Sequence, residues 1–123
     1  MLAASPLFAF VPTLDMERAD AFYGGTLGLE VLERTPYAVV LDAGGTTLRL
    51  TLVEDLNPHP FTILGWLVED LDTVVAALLL AGVQPLRYAG MDQDERGVWT
   101  TPAGAQVMWF QDPDGNTLSL TGA

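Results

Sequence analysis

Cysteine and lysine are both missing from this 123-residue sequence, and histidine occurs once. Without cysteine there is no disulfide, no zinc–thiolate site and no thiol nucleophile. A single histidine excludes any centre that needs two imidazoles from one chain. Five arginines are the only strongly basic side chains, set against sixteen acids for a formal charge of −11. Phosphate backbones are gripped by Lys and Arg, so nucleic acid is excluded as a partner. Long apolar runs are lacking too. No stretch approaches the roughly 20 residues that cross a bilayer, and no membrane partner is expected. The segment 1–10 holds no basic group ahead of its apolar part, unlike a secretory leader, which makes the cytoplasm the default location.

What is present is apolar: half of the residues are hydrophobic. A chain of this length buries roughly two-thirds of its unfolded surface and needs no covalent staple. The acids are scattered rather than massed in a tail. They serve solubility or, alternatively, draw in a cationic ligand. The lack of lysine beside many Leu, Ala, Gly and Arg residues is the composition of a GC-rich bacterial genome.

The chain repeats itself. Residues 7–13 (LFAFVPT) are short and apolar, and they precede Asp15, the expected N-cap of a helix over 16–27. Ala19, Phe22, Tyr23 and Leu27 recur at helical spacing, and Gly28 supplies the stop. Strands over 29–34, 37–41 and 46–53 follow. In the last of them Leu48, Leu50 and Leu52 share one face, and Thr47, Arg49 and Thr51 the other. A polar stretch, 54–60, reads as a linker. The order then restarts: a strand over 62–68, a helix capped by Asp70 and running to Leu80, a strand over 105–111, an Asp112-Pro113-Asp114-Gly115 turn and a strand over 116–121. Leu27-Gly28-Leu29-Glu30-Val31-Leu32 is echoed by Ala81-Gly82-Val83-Gln84-Pro85-Leu86. Gly45-Thr46-Thr47-Leu48-Arg49-Leu50 is echoed by Gly115-Asn116-Thr117-Leu118-Ser119-Leu120. The expectation is a single α+β domain over 1–123, made of two tandem βαβββ modules at about 7–53 and 61–121. Each sheet has one face covered by its own helix. Pairing the sheets would form a curved mixed sheet around a central cavity, a natural ligand site.

Three of these segments carry a resemblance. The run Asp15 to Leu29 (DMERADAFYGGTLGL) is similar to the first-helix signature of the vicinal oxygen chelate superfamily, which includes glyoxalases, bleomycin resistance proteins and extradiol dioxygenases. Val68-Glu69-Asp70-Leu71 resembles the opening of its second helix, and Phe110-Gln111-Asp112-Pro113-Asp114-Gly115-Asn116 its C-terminal hairpin. The resemblance extends from Phe8 to Leu120. These motifs also have plain structural reasons, since Asp-Pro-Asp-Gly sets a turn and Phe22-Tyr23 packs under a sheet. They identify a fold, not an activity.

The resemblance implies where metal ligands would stand in metal-dependent members. In each module one lies on the first strand, seven residues before the capping Asp, and one on the last strand. Those places fall here on Phe8, Ile63, Arg49 and Ser119. Phe8 and Ile63 have no lone pair, Arg49 is cationic and Ser119 is a poor neutral donor, so the expectation is no metal and no cofactor. His59, between Pro58 and Pro60, is either a base or shared ligand or a solvated loop residue. No carboxylates stand at ligand spacing around it.

Strand alternation then assigns a lining. Phe8, Phe10 and Pro12 point into the cavity, as do Ile63, Gly65 and Leu67. Thr47, Arg49 and Thr51 face in with Thr117, Ser119 and Thr121. Val107, Trp109 and Gln111 are expected to share that parity with Val39, while Trp66 joins Leu64 and Val68 in the core. Trp99 is expected at the rim after the acidic loop 92–97. The candidate ligand-binding residues are therefore Phe8, Phe10, Arg49, Ile63, Trp99, Trp109 and Ser119, with no catalytic residue identified. The lining suits a small aromatic or drug-like molecule oriented by Arg49, although Arg49 has the competing role of pairing with a nearby acid or lying at a dimer seam. The resemblance implies a metal-free binding protein of the bleomycin-resistance type, working as a homodimer. The alternatives are a glyoxalase- or dioxygenase-type enzyme, a lyase or oxygenase with a relocated or absent metal site, and a structural module whose cavity its own aromatics fill.

Overall fold

The structure is a computed structural model that describes residues 1–122. Its contacts gather into two compact units, one comprising Met1–Asn57 and the other beginning at Pro58.

In the first unit, β1 (Phe8–Thr13) leads into α1 (Met16–Asp20). Asp15 is the N-cap, and its carboxylate accepts the Arg18 backbone N–H at 3.1 Å. That bond satisfies one of the donors a helix start leaves open. The helix expected over 16–27 changes character halfway. Ala21–Thr26 winds as a π-helix, with the Leu27 N–H donating to the Phe22 carbonyl at 2.8 Å. Gly24 and Gly25 lie within this wider turn, where their low helix propensity lets the tighter ladder loosen. Three strands follow: β2 (Glu30–Arg34), β3 (Ala38–Ala43) and β4 (Thr46–Leu52). The sheet order is β1-β4-β3-β2, with β1 parallel to β4 and the other pairs antiparallel. A parallel neighbour needs a crossover, and the helical segment with the β2–β3 hairpin provides it.

The second unit repeats the pattern with β5 (Thr62–Val68), α2 (Leu71–Leu80), β6 (Val98–Thr100), β7 (Gln106–Gln111) and β8 (Thr117–Gly122), ordered β5-β8-β7-β6. Asp70 caps α2 and takes both the backbone N–H and the hydroxyl of Thr73. The stretch 81–86 echoes 27–32 in sequence but forms no counterpart of β2. Instead that stretch forms one isolated bridge, Pro85 to Phe110, and the strand opens only at Val98. Proline has no N–H to give to a ladder, so pairing cannot propagate through Pro85.

Each sheet buries one face under its own helix. In the first unit Val11, Val39, Leu41, Leu48 and Leu50 are buried with Ala19 and Tyr23. In the second, Val98, Met108, Phe110, Leu118 and Leu120 are buried with Leu71, Val75 and Leu78. Each large side chain contributes about 1.5–3 kcal/mol by leaving water. The α+β class and the tandem βαβββ order thus follow the repeat in the sequence. No helix among the described residues is long and apolar enough to cross a membrane.

Candidate functional site

With one face of each sheet covered, the chemistry sits on the other. Pairing registers place residues in rows across that open face. In the first unit one row runs Glu33–Val40–Arg49–Phe10 and the next Ala38–Thr51–Pro12. Glu33 reaches this face because the β2–β3 register shifts between Val31 and Glu33. Phe8 and Phe10 remain 49% and 57% exposed, with their rings stacked 4.6 Å apart. The Arg49 guanidinium carbon lies 6.0 Å from the centre of the Phe10 ring, a cation–π distance. Phe8, Glu33, Thr35, Ala38, Val40 and Arg49 line a half-open cleft of about 230 Å³.

The charges in this cleft are unusual for so acidic a chain. Arg34 donates to Asp20 at 2.6 Å, Arg87 to the Asp94 and Glu95 carbonyls, and Arg96 to Asp72 and Asp94. The Arg49 guanidinium makes no hydrogen bond or ion pair among the described residues. One row away, Thr51 Oγ1 is buried with no hydrogen-bond partner among the described residues. An orphan buried hydroxyl costs about 1–3 kcal/mol, a cost that a water or a ligand group would relieve. Arg49 therefore does not take up the alternative role of pairing with a nearby acid of its own unit.

The open face of the second unit is aromatic. One row runs Gly65–Ser119–Trp109 and the next Leu67–Thr121–Val107–Trp99. The Trp99 and Trp109 rings lie 6.2 Å apart at 29°, and Tyr88 meets Trp109 edge-on at 5.3 Å and 87°. Trp99, expected at a rim after a loop, is instead a residue of β6 on the sheet itself. Ser119 is only 9% exposed, and Ile63 sits at the register shift between Thr62 and Leu64. Trp66 is half-buried on the opposite, helix-covered side, with Leu64 and Val68.

A hydrogen-bonded loop holds Tyr88 in place. Gln93 Oε1 accepts the Tyr88 N–H, while Gln93 Nε2 donates to the Leu86 and Gly97 carbonyls, each at 2.8 Å. Asp94 closes the loop by accepting from the Arg96 and Val98 backbone N–H groups and the Arg96 guanidinium. Desolvation pushes the Asp94 carboxyl upward, but the Arg96 side chain, these backbone donors and the Arg96 charge outweigh it and hold it below the usual carboxylate range. The acidic loop is thus a tied structural element.

The sequence-derived residues fall into two sets, Phe8, Phe10 and Arg49 on one open face and Trp99, Trp109 and Ser119 on the other, with Ile63 exposed at the register shift of β5. Val39 does not share their parity. It is 2% exposed and pairs with the buried Leu50, and Val40 takes its place beside Arg49. The run Ala38-Val39-Val40-Leu41 is apolar throughout, so alternation gives no sign of which side chains face the helix. Sequence reasoning also missed Glu33, which a β-bulge turns onto this face, and Tyr88, which lies in an aperiodic stretch.

The four places where the resemblance locates metal ligands hold Phe8, Ile63, Arg49 and Ser119, a set that does not fit a divalent cation. No group of three or more His, Cys, Asp or Glu side chains gathers among the described residues. His59 is exposed and stacks flat on Phe61, with ring centres 5.5 Å apart. The C-terminal hairpin motif is structural: Asp112, 5% exposed, accepts from the Asp114 and Asn116 N–H groups and the Asn116 side chain.

Known proteins share this architecture. The family described as Glyoxalase/Bleomycin resistance protein/Dioxygenase superfamily matches residues 7–120. A superfamily member from Sphaerobacter thermophilus is 25% identical with a TM-score of 0.75, each chain covered 100%. A lactoylglutathione lyase from Agrobacterium tumefaciens is 18% identical, with a TM-score of 0.75 over 98% of this chain and 94% of that one. A protein from Alicyclobacillus acidocaldarius described as glyoxalase/bleomycin resistance protein/dioxygenase is 19% identical, with a TM-score of 0.72 over 97% and 91%. No curated protein sequence matches the chain.

Proposed function

The chain belongs to the glyoxalase/bleomycin resistance protein/dioxygenase superfamily, and from that premise we propose that the open sheet face of each unit binds small aromatic molecules without the usual metal site. One observation carries the reading. The faces that bear the four family ligand positions offer stacked rings and an unpaired guanidinium in place of cation donors. Stacked aromatic side chains give a planar ligand broad contact area at little conformational cost. On the face of the first unit, Arg49 fixes the orientation through its forked donors. The binding role is that of the metal-free bleomycin-resistance type, with the chain working as a homodimer.

Two measurements on the purified protein test this. Elemental analysis is expected to find no stoichiometric metal. Thermal-shift titration is expected to find stabilisation by aromatic compounds and none by divalent cations. One metal ion per chain, or metal-dependent stabilisation, would overturn the proposal in favour of a lyase or oxygenase with a relocated site. Sedimentation analysis is expected to give a dimer, and a monomer at all concentrations would remove that part.

A further inference from the structure

Resting on the ligand-binding reading above, we propose that the cleft of the first unit selects a single-ring aromatic carboxylate. Its carboxylate is taken by Arg49, and a hydrogen-bond donor across the ring by Glu33.

The charge pattern comes first. In a chain with sixteen acids and five arginines, a free guanidinium beside its own acids is unexpected. Arg49 is half-buried and, among the described residues, its guanidinium has only the Phe10 ring as a partner, so its donors are open toward the cleft. A planar fork set against apolar Val40 and Ala38 is the arrangement that reads a carboxylate through two parallel hydrogen bonds.

The spacing comes second. Glu33, Val40 and Arg49 occupy one row on three successive strands. Two strand spacings put the end residues about 10 Å apart at the backbone, with an apolar floor between them. Glu33 and Arg49 form no ion pair among the described residues. A ring lying on Val40 would present one end to the cation and the other to the acid, which calls for an amino or hydroxyl group opposite the carboxylate. The Phe8 ring, backed by its stack on Phe10, supplies a wall for the ligand's π-face.

Size comes third. The cleft of about 230 Å³ lies below the roughly 300–1,000 Å³ of drug-sized sites. One ring with two polar ends fits where a multi-ring drug does not. The net charge of −11 does not oppose this at close range, because charges beyond about 8–10 Å are largely screened at physiological salt.

Calorimetric titration of the full chain with benzoate, 4-aminobenzoate and the neutral benzamide tests the assignment. Both acids are expected to bind at least about tenfold more tightly than benzamide, with 4-aminobenzoate the tighter. Arg49→Gln should bring the acids down to the level of benzamide with the melting temperature unchanged. Arg49→Lys should keep part of the preference, since it retains the charge but not the fork. Glu33→Gln should remove the advantage of 4-aminobenzoate alone. Acids that bind no better than benzamide, or that ignore Arg49→Gln, overturn the carboxylate assignment. Benzamide or cationic aromatics would then still bind if the broader ligand-binding reading holds. Failure of every aromatic compound, charged or neutral, would overturn both.

Discussion

Gly65 and Ser119 face each other across β5 and β8 so closely that a Cβ on Gly65 would stand 2.7 Å from Ser119 Oγ. Trp109 completes the same row. Two small residues thus leave a shelf beside an indole, where a planar ligand can approach the ring. Gly65→Ala would push on a hydroxyl that can rotate, so the stability cost should stay below about 1–2 kcal/mol. The shelf, however, would be partly filled. Thermal unfolding of the variant should change little, while its affinity for aromatic ligands falls. Equal losses in both would mean that the glycine serves packing alone.

Gly97 stands in contrast. Its φ is +83°, and an added Cβ would meet Pro85 Cβ at 2.5 Å, an atom of a rigid ring. Left-handed backbone costs a non-glycine residue about 1–2 kcal/mol, and overpacking adds about 1–3 kcal/mol. Gly97→Ala should therefore destabilise the protein by about 2–5 kcal/mol, measured by urea unfolding. Because Gln93 ties the Gly97 carbonyl to Tyr88, the near-UV circular dichroism of the aromatic cluster should weaken as well. An unchanged midpoint would mean that the loop relaxes freely and does not hold Tyr88.

These two glycines mark what the sequence made legible. Local chemistry was readable: Asp15 and Asp70 announced their helices, and Leu48 and Leu50 alternated against Arg49 and Thr51 as a sheet with one buried face requires. Decisions made by distant pairing were not. The face of Val39 depends on register with β4, the turn of Glu33 on a bulge, and the place of Tyr88 on a bridge from Pro85 to Phe110. The residues of the candidate site were therefore only partly legible. Arg49 lay on a strictly alternating strand and Trp109 within a regular strand, whereas Glu33 and Tyr88 lay where regular pairing breaks.

Acid sensitivity follows from the same loop. The Asp94 carboxyl is held low because the Arg96 and backbone hydrogen bonds outweigh its desolvation. Asp70 is held low by the Thr73 hydroxyl and then by the Thr73 backbone N–H. A depressed folded value means stability that is present above the unfolded pKa, about 3.9 for Asp, and lost as pH falls through the lower folded value. Asp94→Asn should therefore be less stable than the native chain at neutral pH. The gap should close as the pH falls below about 4. A gap that stays constant from neutral to acid pH would show that the carboxylate charge contributes nothing to holding the loop.

The three tryptophans separate the two sides of the second sheet. Trp99 and Trp109 share the open face within 6.2 Å of each other, while Trp66 pairs with the buried Leu120 on the helix side. An aromatic compound stacked on this open face of the second unit should quench the first two and leave the third unaffected. Trp109→Phe should remove most of the ligand-dependent fluorescence change and weaken binding by roughly 1 kcal/mol, the scale of one aromatic pair beyond its buried area. Trp66→Phe should preserve the change in full. If Trp66→Phe abolished the signal and Trp109→Phe did not, the ligand would be acting through the helix-covered core, and the open face would lose its claim to be the site.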